Sequence, residues 1–81
     1  MYYHNSYYTY SRQLINGEKW KYNIAIHGID KTFTKTVKNK TLSDAEFIVH
    51  SFCYGELLKH GIITEDRYKE AIEHYKKYLF R

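Results

Sequence analysis

The sequence contains no proline, only four glycines and a single cysteine, Cys53. A chain with so little proline and glycine does not have the composition of a disordered tail or linker. A single cysteine cannot form an internal disulfide bond, which favours a reducing compartment. The N-terminus lacks the basic start and apolar block of a signal peptide, and no apolar run reaches the length of a membrane span. These absences predict a cytoplasmic protein with no membrane partner.

The sequence also lacks the motifs by which many enzymes are recognised. It has no nucleophile motif, no glycine-rich phosphate loop and no cysteine pair at metal-ligand spacing. Cys53 lies in a predicted helix, where a buried structural thiol is expected. Glutamate and histidine recur at the i, i+4 spacing of ordinary helix-surface pairs in Glu46/His50, Glu56/His60 and Glu70/His74. Di-iron sites use the i, i+3 spacing instead, so we predict no metal site. The absence of catalytic motifs predicts no cofactor and no enzymatic activity.

The positive charge is concentrated in the first half of the chain. The net charge is +4, yet residues 1–41 contain seven basic and two acidic residues, whereas residues 42–81 contain six basic and seven acidic residues. This asymmetry suggests an anionic partner for the first half, and chance spacing of solubilising lysines is the alternative. A chain of 81 residues fits one small domain, residues 1–81, whose limited core could gain stability by homodimerisation.

Residues 7–38 show the period-2 alternation of half-buried strands and predict a three-stranded antiparallel meander. Its apolar face is expected to bury Trp20, Tyr22 and Ile24, and its opposite face is polar and basic. The tyrosine-rich residues 1–6 precede the meander. We expect them to form either a further edge strand or an N-terminal arm that reaches a partner.

The two turns of the meander set the expected register, because each strand must keep its apolar residues on the same face. The first turn is predicted to be a three-residue loop at residues 15–17, closed by Gly17. The second is predicted to be a two-residue turn led by Gly28. The resulting opposed pairs are Tyr10–Tyr22, Trp20–Val37 and Ile24–Phe33.

Residues 43–80 are predicted to form a helical hairpin that covers the apolar face of the sheet. Ser43 and Glu46 fit a capping box at the start of the first helix, and Gly61 fits its end. Thr64 fits the N-cap of the second helix. The expected apolar stripes are Ala45, Ile48, Phe52 and Gly55 in the first helix, with Val49 beside them, and Tyr68, Ala71, Ile72, Tyr75 and Leu79 in the second. The predicted fold class is therefore α+β, in the order β-β-β-α-α.

Between residues 17 and 54, a glycine precedes alternating aromatic and aliphatic residues, a glycine turn and a strand of lysine and threonine. The residues in this pattern are Gly17, Trp20, Tyr22, Ile24, Gly28, Lys31, Thr32, Phe33 and Ala45. The pattern resembles the arm-type, AP2-like DNA-binding domain of tyrosine recombinases. In that family a three-stranded sheet lies in the major groove of DNA, which implies that Lys19, Lys21, Asn23, Thr32 and Thr34 face DNA. The second helix and the missing catalytic domain depart from the family and imply an accessory protein, not a recombinase.

The polar face of the meander is the predicted binding surface, because lysine contacts phosphates while threonine and asparagine bond phosphates or base edges. The candidate residues are Arg12, Lys19, Lys21, Asn23, Thr32, Thr34, Thr36, Lys38 and Lys40. We predict a small, non-catalytic DNA-binding accessory or regulatory protein of a phage, virus or mobile element, with duplex DNA as its partner. The alternative is a protein-interaction module or inhibitor, such as a phage or viral anti-host protein, that binds an acidic protein surface.

Overall fold

The computed structural model describes residues 2–17, 19–38 and 41–80. It contains an antiparallel sheet followed by two helices, which confirms the α+β class. The chain divides into two compact units, Met1–Lys40 and Thr41–Arg81. The elements are β1 (Tyr2–His4), β2 (Tyr8–Ile15), β3 (Lys19–Ile26), β4 (Thr32–Lys38), α1 (Leu42–Lys59) and α2 (Glu65–Leu79).

The sheet has four strands in the order β1-β2-β3-β4, so the prediction of three strands is wrong. The additional strand is β1, Tyr2–His4, which agrees with the edge-strand alternative for the N-terminal segment. β1 pairs antiparallel with β2, with Tyr3 opposite Tyr10 and His4 opposite Thr9. Side chains of β1 therefore alternate between the same two sheet faces as those of β2.

β2 and β3 pair two residues away from the predicted register. Ile15 lies opposite Lys19, so the three-residue loop starts at Asn16 and not at Ile15. Asn16 and Gly17 both have positive φ, 55° and 70°, a conformation that Asn-Gly pairs adopt readily. The β-branched Ile15 is left in the strand, which it favours. A shift of two residues keeps every side chain on its predicted face, because side chains alternate with period 2.

The register of β3 and β4 is as predicted, with the pairs Trp20–Val37 and Ile24–Phe33. The turn between these strands differs in detail. The backbone N–H of Ile29 donates to the carbonyl of Ile26 at 3.2 Å, so Gly28 is the third residue of the turn and does not lead it. Gly28 has a φ of 90°, and this position of such a turn favours glycine.

The apolar sheet face is the side that bears Tyr3, Tyr8, Tyr10, Arg12, Leu14, Trp20, Tyr22, Ile24, Ile26, Phe33, Lys35 and Val37. Tyr22 is fully buried, and its ring meets the ring of Tyr10 edge-on with centroids 5.3 Å apart. Tyr10 also stacks on Tyr3 at 5.0 Å. Trp20 was expected in the core but is only half-buried. The guanidinium carbon of Arg12 lies 5.5 Å from the centroid of the Trp20 ring. Tyrosine therefore dominates the buried part of this face.

α1 begins one residue earlier than predicted and is capped by Thr41, whose Oγ1 accepts a hydrogen bond from the backbone N–H of Asp44 at 3.1 Å. Ser43, the predicted cap, lies inside the helix. Ile48 and Phe52 of the predicted stripe are only half-buried. The buried residues of α1 are Ala45, Val49, His50, Cys53, Tyr54 and Leu57. Apolar residues occur all round this helix, so its sequence pattern does not single out one face.

The link between the helices contains the predicted end of α1 at Gly61 and the predicted N-cap of α2 at Thr64. Gly61 has a φ of 73°, and its N–H donates to the carbonyl of Leu58 at 3.0 Å while that of Ile62 donates to Leu57 at 2.9 Å. This pair of hydrogen bonds is a Schellman motif. The side chain of Thr64 caps α2, as predicted.

α2 packs against α1 through its predicted stripe. The residues of α2 that are not exposed are Tyr68, Ala71, Ile72, Tyr75 and Leu79, which confirms the stripe. The ring of Tyr75 stacks on His50 of α1 with centroids 3.9 Å apart, and Phe80 just past α2 meets Phe47 edge-on at 5.4 Å. Aromatic contacts of this kind hold the hairpin together.

Two glycines of the helical unit should respond to alanine in opposite directions. Gly61→Ala is expected to lower the free energy of unfolding by about 1 kcal/mol, because a Cβ is strained at a φ of 73°. Gly55→Ala is expected to raise it by about 0.5–1 kcal/mol, because Gly55 lies within α1 and a Cβ there meets nothing within 4 Å. Urea unfolding followed by circular dichroism measures both. Shifts of the same sign would contradict this assignment of the helix and its end.

Candidate functional site

The polar sheet face is the side that bears Tyr2, His4, Thr9, Ser11, Gln13, Ile15, Lys19, Lys21, Asn23, Ala25, Thr32, Thr34, Thr36 and Lys38. The same alternation that buries Tyr22 and Ile24 turns these residues to the other side of the sheet. No aspartate or glutamate occurs among the described residues of this face. It is therefore basic, with hydroxyl and amide groups between the charges.

Three lysines lie close together at one end of this face, and we call them the lysine cluster: Lys19, Lys21 and Lys38. Lys19 lies directly opposite Lys38, and Lys21 follows two residues along β3, at a spacing of about 6.8 Å. Like charges directly opposite one another on a sheet are destabilising. Within the described part of the chain, no carboxylate lies within ion-pair distance of these ammonium groups. A bound anion would relieve this repulsion.

The other end of the polar sheet face contains an open groove of about 360 Å³. Tyr2, on the edge strand β1, lines it, and its side chain is 79% exposed. Thr34 Oγ1 donates a hydrogen bond to Asn23 Oδ1 across the groove at 3.3 Å. The other polar side chains that line it are Thr9, Ser11 and Thr32. The groove thus combines an exposed aromatic ring with groups that can donate and accept hydrogen bonds.

The structure brings most of the predicted binding residues together on the polar sheet face. They are Lys19, Lys21, Asn23, Thr32, Thr34, Thr36 and Lys38. Arg12 is not among them, because it lies on the apolar sheet face opposite Tyr22 and beside Trp20. Lys40 lies outside the described residues.

The predicted binding surface omits Tyr2 and His4, because neither the arm nor the edge strand expected for residues 1–6 assigns them to a face. A signal for the strand is present in Asn5, whose Oδ1 accepts hydrogen bonds from the backbone N–H groups of Tyr7 and Tyr8 at 2.8 and 2.9 Å. Asparagine favours turns through such bonds. A turn at Asn5 would pair residues 2–4 with β2. Alternation of side chains along that strand then places Tyr2 and His4 on the polar sheet face.

Cys53 is fully buried, and burial raises the pKa of its thiol to about 12, with the nearby Glu56 carboxylate adding to the shift. The thiol is therefore protonated at neutral pH and is a poor nucleophile. Glu56 and His60 form an i, i+4 pair with 3.8 Å between Oε1 and Nε2. Among the residues that the structure describes, no three His, Cys, Asp or Glu side chains come together as a metal site. No helix within the described ranges has the length and apolar character needed to cross a membrane.

Comparison with family models, with curated proteins and with solved structures gives no match to this chain. The similarity of residues 17–54 to arm-type DNA-binding domains stays a prediction from the sequence pattern. The polar sheet face is therefore the candidate functional site.

Proposed function

We propose that this protein is a small, non-catalytic nucleic-acid-binding accessory or regulatory protein that contacts phosphates with the lysine cluster. The observation that supports the proposal most directly is the placement of Lys19 opposite Lys38 with Lys21 next along the strand. Three lysines at neighbouring positions of the sheet, with no carboxylate among the described residues of that face, give it a positive potential that would attract a polyanion. Phosphate contacts of this kind position a protein on nucleic acid.

The form of the sheet is compatible with such a ligand. A β-ribbon or sheet can enter the major groove of duplex DNA, and duplex DNA is the form that the sequence resemblance implies. The threonines that follow the lysine cluster along β4 offer hydroxyl groups to phosphates or base edges. The cation at Arg12, on the opposite face, is not part of this surface.

Salt dependence tests the proposal. If the three lysines each neutralise one phosphate, the logarithm of the association constant for duplex DNA should fall with the logarithm of salt concentration with a slope of about −2.7. Fluorescence anisotropy of a short labelled duplex across a series of KCl concentrations measures this slope. In the double variant Lys19→Ala/Lys21→Ala the slope should shrink to about −0.9, because two contacts are lost.

The control for this experiment is Lys69→Ala, which removes an exposed lysine of α2 that is paired with Glu65 at 3.4 Å. This variant should keep both the affinity and the slope. If neither duplex nor single-stranded nucleic acid binds at low salt, the proposal fails. An acidic protein surface then becomes the better candidate partner, because ammonium groups bind carboxylates as well as phosphates.

A further inference from the structure

We propose that the groove beside Tyr2 holds an unpaired nucleobase stacked on the Tyr2 ring, so that a single strand gains a contact that a duplex cannot make. The inference rests on the proposed function and adds the form of the ligand. It concerns a part of the polar sheet face that is separate from the lysine cluster. The polar side chains in its lining are those of Thr9, Ser11, Asn23, Thr32 and Thr34, beside the exposed ring of Tyr2.

Tyr2 is far more exposed than the tyrosine next to it. Its side chain is 79% exposed, whereas Tyr3, its neighbour in β1, is half-buried and stacks on Tyr10. A large aromatic ring left in solvent beside a groove offers a flat surface on which a base can stack. Bases in a duplex already stack on one another, so only an unpaired base can use such a ring.

The groove also contains polar side chains that can form hydrogen bonds with a base. Asn23 and Thr34 are joined by a hydrogen bond of 3.3 Å, which holds the amide in place while leaving its NH₂ group able to donate. Ser11 lies opposite Asn23, and Thr9 and Thr32 lie on either side of Ala25. An unpaired base presents donors and acceptors on its edges, and groups of this kind can bond them.

The groove and the lysine cluster lie along one strand, β3. Asn23, Lys21 and Lys19 follow one another at alternate positions of β3, all on the polar sheet face. Successive members are about 6.8 Å apart. A single strand whose base occupies the groove would therefore run its phosphates along β3 towards Lys21 and Lys19. Charge complementarity and base stacking act on the same strand.

Three labelled ligands of equal length test the inference by anisotropy at one salt concentration: oligothymidylate, the same backbone with abasic sites, and a duplex. We expect oligothymidylate to bind about tenfold more tightly than the abasic strand, the fold-change that corresponds to stacking of one base. Tyr2→Ala should abolish this difference and leave binding of the abasic strand unchanged. Tyr2→Phe keeps the ring and should keep the preference. The exposed position of Tyr2 lets these variants fold.

The outcomes separate this inference from the proposed function. If duplex and single strand bind equally and Tyr2→Ala changes neither, the groove does not hold a base, while phosphate binding by the lysine cluster stands. If the lysine variant Lys19→Ala/Lys21→Ala binds all three ligands as the parent does, the proposed function fails. A tenfold loss for oligothymidylate alone in Tyr2→Ala supports the inference.

Discussion

Replacing Tyr22 by alanine is expected to lower the free energy of unfolding by about 3–5 kcal/mol, the cost of truncating a buried aromatic side chain. Tyr22 is fully buried, and its ring meets that of Tyr10 at 5.3 Å. A domain of this size is stable by only about 5–15 kcal/mol, so the variant should lose a large share of its stability and unfold at a much lower urea concentration than the parent. Trp20, the only tryptophan and a member of the same strand, reports the loss through its fluorescence during urea unfolding.

Two variants control the Tyr22 experiment. Tyr22→Phe keeps the ring and should lose no more than about 1 kcal/mol, the usual net contribution of one hydrogen bond. Tyr2→Ala removes a tyrosine from the same sheet at an exposed position and should be close to neutral. A Tyr22→Ala protein as stable as the parent would show that the apolar sheet face is not built around the tyrosines.

Acidification should destabilise the protein by about 3 kcal/mol through His50 alone. His50 is 3% exposed and stacks on Tyr75 with centroids 3.9 Å apart. Burial lowers the pKa of its imidazole from 6.5 to about 4; the Glu46 carboxylate partly opposes this shift, and His74 adds to it. The folded hairpin therefore favours the neutral imidazole over the protonated form.

The direction of the effect follows from proton binding. Above pH 6.5 the imidazole is neutral in both the folded and the unfolded state, so it contributes no pH dependence. Between pH 6.5 and about 4 the unfolded state binds a proton that the folded state does not, and stability falls as pH falls. Below about pH 4 both states are protonated and the His50 contribution levels off.

His50→Phe tests this assignment, because it keeps a flat ring against Tyr75 and removes the titration. The difference in unfolding free energy between parent and variant should change by about 3 kcal/mol between pH 6.5 and 4. Taking the difference cancels the contribution of groups common to both proteins. His50→Gln is a second variant if phenylalanine fits poorly, and His60→Gln, at an exposed position, should retain the parent's decline. A decline that persists in both His50 variants would assign it to other groups.

The end of α1 and the start of α2 could be predicted because their signals are local. Gly61 ends α1 and Thr64 starts α2 through bonds to residues within four positions, and such bonds depend on little beyond the neighbouring sequence. The buried face of α1 could not be predicted, because apolar residues occur all round it. Thr41 and Ser43 are both good cap residues, and only the structure distinguishes them.

Which residues share a face of the sheet follows from the amino-acid sequence alone, since alternation with period 2 is a property of strand geometry. The alternation places Lys19, Lys21 and Asn23 together. It also places Arg12 with the tyrosines, so the prediction of Arg12 as a binding residue, made from its charge, disagrees with its position in β2. Which residues lie opposite one another between β2 and β3 is seen only in the folded protein, because registers two residues apart give the same faces. The structure alone also paired β1 with β2, which brings Tyr2 beside the groove, because that pairing depends on the turn at Asn5 and not on periodicity.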